Sequence, residues 1–303
     1  MNDARQRPPA TPRQAATVIL LREASCGVEV LVIRRHKDLA FLGGMWVFPG
    51  GALAPADSSP ETLARIPQHS RMRCARLSDD RGRPLEVEQR LALMAAACRE
   101  TFEETGLLLA THADGSHCEG DLLLRLQAQR SAIASQPERF AELLAQESLQ
   151  LEVDRLVYWA HWITPSPAPR RFDTRFFVAA MPQRQDAIID ATEAVEHVWI
   201  TPGALIEAIR ERRMSVSPPT LYNLMELDAT WRRHGSLQAM LAGEAQRRVP
   251  PVQPKIISEG DDQLIVLPWD AAYARAAGEG EAVDLLEYPA RLRELPSRMS
   301  ITS

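Results

Sequence analysis

Two apolar runs, residues 15 to 21 and 28 to 34, stand either side of Ser25-Cys26-Gly27, a pattern that predicts a β-hairpin. Gly43-Gly44 and Gly50-Gly51 then bracket Trp46 to Phe48, so a short strand is expected between two turns. Residues 52 to 85 lack a sustained period and read as a partly helical insertion. From Glu86 to Glu104 there is no Gly or Pro and much Ala, Leu and Glu, which predicts one long helix capped by Gly106. Residues 121 to 150 read as one or two helices, with Pro137 placed to begin the second. Three β-branched and aromatic runs follow, residues 157 to 163, 171 to 180 and 195 to 200. A loop, Thr164-Pro165-Ser166-Pro167-Ala168-Pro169, joins the first two. Helices are expected over 202 to 213 and 218 to 243, and one more strand over 263 to 267. Strands and helices mix without regular alternation, so the class is α+β.

Composition narrows the function classes. The chain of 303 residues carries a net charge of −5, which argues against a nucleic-acid partner. No apolar run approaches the roughly 20 residues that span a bilayer, so no membrane association is expected. Residues 15 to 21 read as a strand, not as the core of a signal peptide, and Ser300-Ile301-Thr302-Ser303 matches no targeting signal. Cys26, Cys74, Cys98 and Cys118 lack pair spacing and read as free thiols of a cytoplasmic protein.

The long helix carries the chemistry. Glu100, Glu103 and Glu104 stand at i, i+3 and i+4 and therefore share one face. Three like charges in one turn repel unless a cation lies among them. Hard carboxylate oxygens suit Mg²⁺ or Mn²⁺, which bind through a few carboxylates together with phosphate oxygens. Such an ion neutralises a diphosphate and acidifies a water nucleophile. Arg99 is placed to orient one of the carboxylates. A solvated acidic helix face is the plain alternative. Gly106 after the triad and Phe48-Pro49-Gly50-Gly51 before it favour the metal reading.

Arg99-Glu100-Thr101-Phe102-Glu103-Glu104-Thr105-Gly106-Leu107 resembles the second half of the box of the Nudix hydrolases. Thr101 stands where the family has an aliphatic residue. Gly51 matches the opening glycine, and Asp57 stands where the family has glutamate. Between Asp57 and Arg99 lie 41 residues, so an insertion splits the box. The resemblance implies a Nudix-type α/β/α sandwich with mixed sheet, helical insertions and a helical C-terminal extension. Residues 1–13 are rich in Pro, Arg and Gln and read as disordered, and the resemblance implies a hydrolase domain over 14–255 with an insertion over 58–90, and an extension over 256–303. It implies Glu103 and Glu104 as metal ligands, Glu100 as a ligand or the base for water, and Arg99 as the orienting residue. A carbonyl of Gly50 or Gly51 would be a further ligand.

The split box is similar to that of the branch containing the peroxisomal coenzyme A diphosphatases of animals and their bacterial relatives. Residues 41 to 51, the stretch from Trp162 to Phe177, and Ser217-Pro218-Pro219-Thr220 carry this similarity. The fuller coenzyme A signature is met in part, by Gly44 and by Arg34 or Arg35. The substrate implied is coenzyme A or an acyl derivative, cleaved to 3′,5′-ADP and a 4′-phosphopantetheine species with Mg²⁺ or Mn²⁺. The rivals are an ADP-ribose or NADH diphosphatase and a nucleotide sensor without turnover. Arg34, Arg170, Arg171 and Asp57 are the candidate substrate contacts, with Arg175 beside them. Surface pairing of the arginines with Asp173 is the alternative. Glu193 and Glu196 stand where some Nudix enzymes carry a further base, solvated loop acids being the favoured alternative. His161, His197, Trp159, Trp162 and Trp199 read as packed core. The oligomeric state stays open, a homodimer included.

Overall fold

The computed structural model describes residues 10–166, 168–189, 193–260, 262–278, 280 and 288–300. The centre is a mixed eight-stranded sheet. Its order is Pro251–Val252, Val157–Ile163, Phe172–Ala180, Arg13–Ala24, Gly27–Arg35 and Trp46–Val47. Gly50–Ala52 also pairs with the first strand, and Ala194–Ile200 with the second. Arg13–Ala24 runs parallel to Phe172–Ala180 and antiparallel to its other neighbours. The sheet therefore forks. One end of Arg13–Ala24 meets Gly27–Arg35 at Leu21 to Ala24, and the other meets Gly50–Ala52 at Ala15 to Thr17. That fork opens the space in which the site lies.

Each face of the sheet has its own core, because strand side chains alternate. Ala16, Val18 and Leu20 pack with Leu91, Ala95 and Phe102 of the helix Val87–Thr105. Ile19 and Leu21 pack with Trp159, Tyr222, Leu224 and Leu227 beneath the helix Pro218–His234. The helix Val87–Thr105 ends at Gly106, whose φ of 70° permits the left-handed cap and whose N–H donates to the Phe102 carbonyl at 2.8 Å. Thr101, the polar residue at an apolar box position, is fully buried, and its hydroxyl donates to the Ala97 carbonyl at 2.7 Å.

Several expectations are refined. The hairpin turn is Ser25-Cys26, with the strands longer than the apolar runs because their polar ends still pair. Residues 10 to 12 are described and Arg13 opens the first strand, while 1 to 9 lie outside the described residues. Residues 121 to 150 hold three short helices, Gly120–Gln127, Arg130–Ser135 and Glu138–Gln146, and Pro137 precedes the third. The strand pair Ala110–His112 and Leu149–Leu151 was not foreseen; three residues are too few to show a period. Gly235, at φ 72°, divides the region 218 to 243 into Pro218–His234 and Leu237–Glu244. The largest correction concerns the extension. Among the described residues it is not helical in the main but a three-stranded sheet, Lys255–Glu259, Asp262–Val266 and Arg298–Ser300, with a 3₁₀ turn, Tyr273–Arg275, and a short helix, Ala290–Arg293. Its Ile265, Leu267, Trp269, Tyr288 and Leu292 share the core under Pro218–His234. Pro167 and residues 301 to 303 of the predicted loop and tail lie outside the described residues. Among the described residues no helix is long and apolar enough to cross a membrane. Cys26 is exposed and the other three cysteines are buried, all as free thiols.

The cap predicts a measurable cost. A Cβ on Gly106 would stand 3.1 Å from the Gln127 amide nitrogen, at a φ that L residues rarely adopt. Gly106→Ala is expected to cost about 1–2 kcal/mol, read as a Tm lower by about 2–6 °C in thermal unfolding.

Candidate active site

The insertion leaves the box geometrically closed. Pro55–Ser58 forms a single 3₁₀ turn that presents Asp57 to the long helix. Arg99 Nε donates to Asp57 Oδ1 at 2.8 Å and Nη2 to Oδ2 at 2.9 Å, both side chains being buried. The same Nη2 donates to the Ala52 carbonyl at 3.2 Å. Nη1 donates to Glu100 at 3.0 Å and to Glu103 at 2.9 Å. Asp57 also accepts from the Ala54 N–H at 2.8 Å. Asp57 is thus engaged with Arg99 and the local backbone, and it does not line the cavity that the carboxylates face.

Glu104 is buried and accepts the Gly50 N–H at 2.8 Å. Arg35 stands 3.6 Å from its other oxygen. Glu100 lies against the glycine pair: a Cβ on Gly51 would come within 2.5 Å of its carboxylate. A side chain at position 51 would push the Glu100 carboxylate from this place. Burial raises the Glu100 carboxyl to about 7, against the lowering by Arg99 and with a further push from Glu103. Burial also raises Glu103, again against Arg99. Glu104 is held well above the usual range by burial and then by the Glu100 charge, despite Gly50 and Arg35. In Arg99, burial opposes the cationic form, but Asp57, Glu100 and Glu103 outweigh it.

These groups line one wall of a cavity of about 1100 Å³. Its other walls are mostly apolar and include Phe41, Trp162, Phe172, Phe176, Pro218 and Ile265. Glu193 stands at its rim, exposed, and its charge reaches Glu103 and Glu104. Three further candidates are placed elsewhere. Arg34 points outward, paired with Glu196 at 2.9 Å, because side chains alternate along Gly27–Arg35 and Arg35 takes the inward position. Arg170 is exposed and does not line this cavity. Arg171 is buried and donates to the carbonyls of Thr164 and Ala10, away from the carboxylates. Arg171, Asp173 and Arg175 share one face of their strand, whereas Phe172, Thr174 and Phe176 line the cavity. The period-two pattern of that strand carried this distinction.

His161 and Trp159 are packed in the core, whereas Trp162, also buried, forms part of the cavity wall. His161 is fully buried and stands 2.5 Å from Asp173. Burial lowers its pKa against the raising effect of that contact. Trp159 and Trp162 are buried, and Trp199 is partly buried with the Arg22 guanidinium 4.5 Å over its ring.

The sequence model of the NUDT19 Nudix domain matches residues 9–227. The chain belongs to the Nudix family. Human acyl-coenzyme A diphosphatase NUDT19 is 26% identical over 273 residues, covering 82% of this chain and 72% of that protein. The chicken protein of the same name is 27% identical over 304 residues, covering 86% and 79%. A crystallised NUDIX hydrolase from Alicyclobacillus acidocaldarius shares the fold at TM-score 0.61 and 24% identity, over 77% of this chain and 96% of that one. This Nudix chain is an enzyme that hydrolyses diphosphate bonds, and Nudix hydrolases use divalent metal ions.

The residues present fit such an ion. Glu100, Glu103 and Glu104 are hard oxygen donors in a buried setting, with Arg99 and Arg35 as their ion-pair partners among the described residues. Among the described residues no three His, Cys, Asp or Glu side chains are already arranged around a metal position, and Arg99 Nη1 lies against both Glu100 and Glu103. Raised carboxyls make the metal effect depend on pH. Folded carboxyls that hold protons above their unfolded value lose stability as pH rises, from about 4.5 to about 7 for Glu100. A divalent ion binds the deprotonated forms and reverses that loss. The gain in Tm on adding Mg²⁺ is therefore expected to grow from pH 5 to pH 8 in differential scanning calorimetry. An increment that shrinks over that range would contradict the placement.

Proposed function

We propose that the chain hydrolyses coenzyme A or acyl-coenzyme A, releasing 3′,5′-ADP and 4′-phosphopantetheine or its acyl derivative, with Mg²⁺ or Mn²⁺. One observation carries the reading. A carboxylate triad and a guanidinium share a cavity with a long apolar wall. That combination suits a substrate with a charged diphosphate and an extended, weakly polar tail. The names of the human and chicken relatives point the same way. We take 14–255 as the hydrolase domain, with the insertion over 58–90 and the extension over 256–303.

Glu100, Glu103 and Glu104 would hold the metal, together with a carbonyl of Gly50 or Gly51. Bound there, the ion supplies charge neutralisation at the diphosphate oxygens. Arg35 would contact a phosphate oxygen, a role the sequence left open between it and Arg34. Glu100 is the proposed base where it is not itself a ligand, the two roles being alternatives for one carboxylate in the cavity wall. A water gives its proton to that carboxylate and its oxygen bonds to one phosphorus. The bridging P–O bond breaks, and the second phosphate leaves with the electron pair. Arg99 keeps the carboxylates in place and does not touch substrate. Phe41 and Phe172, with ring centroids 5.0 Å apart, wall off the apolar side.

Product analysis on coenzyme A with Mg²⁺ tests the substrate: 3′,5′-ADP is expected as the nucleotide product. Equal or better kcat/KM on ADP-ribose or NADH would sink the coenzyme A assignment. Glu103→Gln is expected to lower kcat by about 10²-fold or more, and a change of only a few-fold would remove Glu103 from the site.

A further inference from the structure

A second groove, of about 1520 Å³, lies on the other face of the strand Phe172–Ala180. Ile163 is the one described residue that lines both it and the box cavity. Its walls are the insertion turn closed by the Ser78–Pro84 bridge, the start of the long helix at Arg90, and the segment 245 to 251. The lining is mainly polar, in contrast to the box cavity.

Guanidinium groups dominate that lining. Arg76, Arg81, Arg90 and Arg248 have no ion-pair partner among the described residues. The acids facing them are largely engaged. Asp79 is held by Arg83 at 2.7 Å, and Asp173 by Arg175 at 2.7 Å and His161 at 2.5 Å. Asp80 is the remaining carboxylate. Arg175 is fully buried, its Nη1 on Asp173 and its Nη2 donating to the Ser78 carbonyl at 2.7 Å. Among the described residues its Nε has no acceptor in hydrogen-bonding geometry, although the Tyr158 hydroxyl stands close to this guanidinium. The buried Nε of Arg90 and the buried amide nitrogen of Gln253, both lining the same groove, also lack an acceptor among them. Unmet buried donors are costly, and their convergence on one groove calls for an acceptor-rich ligand.

We propose that this groove binds a phosphate-bearing small molecule at a site separate from the box. A phosphate offers several oxygens to several guanidinium forks at once, and arginine matches that geometry better than any other side chain. The insertion that splits the box supplies one wall, so the same segment would join the two sites. The proposal does not depend on which diphosphate the enzyme cleaves.

The probe is inorganic phosphate, titrated by calorimetry into the metal-free full-length chain, where the acidic box repels anions. Saturable binding at one site per chain is expected. Arg90→Gln with Arg248→Ala should weaken it by about tenfold, as loss of two charge-assisted contacts implies. Glu103→Gln should leave it unchanged. Arg248→Ala alone changes an exposed residue, and a smaller weakening in that variant serves if the double variant does not fold. No saturable binding, equal affinity in the arginine variants, or loss of binding in Glu103→Gln would each overturn the proposal.

Discussion

The Arg99 guanidinium makes five hydrogen bonds inside the protein, one for each N–H it carries: two to Asp57, one to the Ala52 carbonyl, and one each to Glu100 and Glu103. Through them a single buried cation ties three pieces of chain: the short strand with its glycines, the 3₁₀ turn and the long helix. A buried charge left without one partner costs about 3–5 kcal/mol. The positions of the carboxylates therefore depend on Asp57, which lies on the far side of the insertion.

This explains how the box survives its interruption. Lengthening the connection from the seven residues of an ordinary box to 41 costs roughly 1.5 kcal/mol in closure entropy. One buried, bidentate ion pair outweighs that. The shorter carboxylate at position 57 still reaches Arg99, because the 3₁₀ turn brings it close and the Ala54 N–H fixes it. The fork of the sheet at Arg13–Ala24 then leaves the glycine pair beside Glu100 and Glu104. Substrate space opens on one face, and the arginine-lined groove under the insertion on the other.

The sequence was informative where chemistry and period coincide. The helix from 86 to 104, its glycine cap and the carboxylate face were legible because spacing on a helix is a geometric statement. The strand cores at 157 to 163 and 171 to 180 were legible from side-chain type. Which arginine reaches the site was not. Arg34 and Arg35 differ by one residue, so they lie on opposite faces of a strand, and adjacency in sequence hides that. Arg171 and Arg175 were grouped with substrate because they are cationic and near a strand, yet alternation turns both away. The extension after 255 was misread because short strands that complete each other leave little periodic signal, and their apolar residues enter a core built by distant helices.

The central claim is that Asp57, across the insertion, sets the metal-holding geometry through Arg99. Titrating Mn²⁺ by electron paramagnetic resonance into the wild type and into Asp57→Asn, with both shown folded by circular dichroism, tests it most directly. The account predicts that the variant binds Mn²⁺ at least about tenfold more weakly, the effect expected of lost support behind a ligand set. Unchanged Mn²⁺ affinity in folded Asp57→Asn would contradict it.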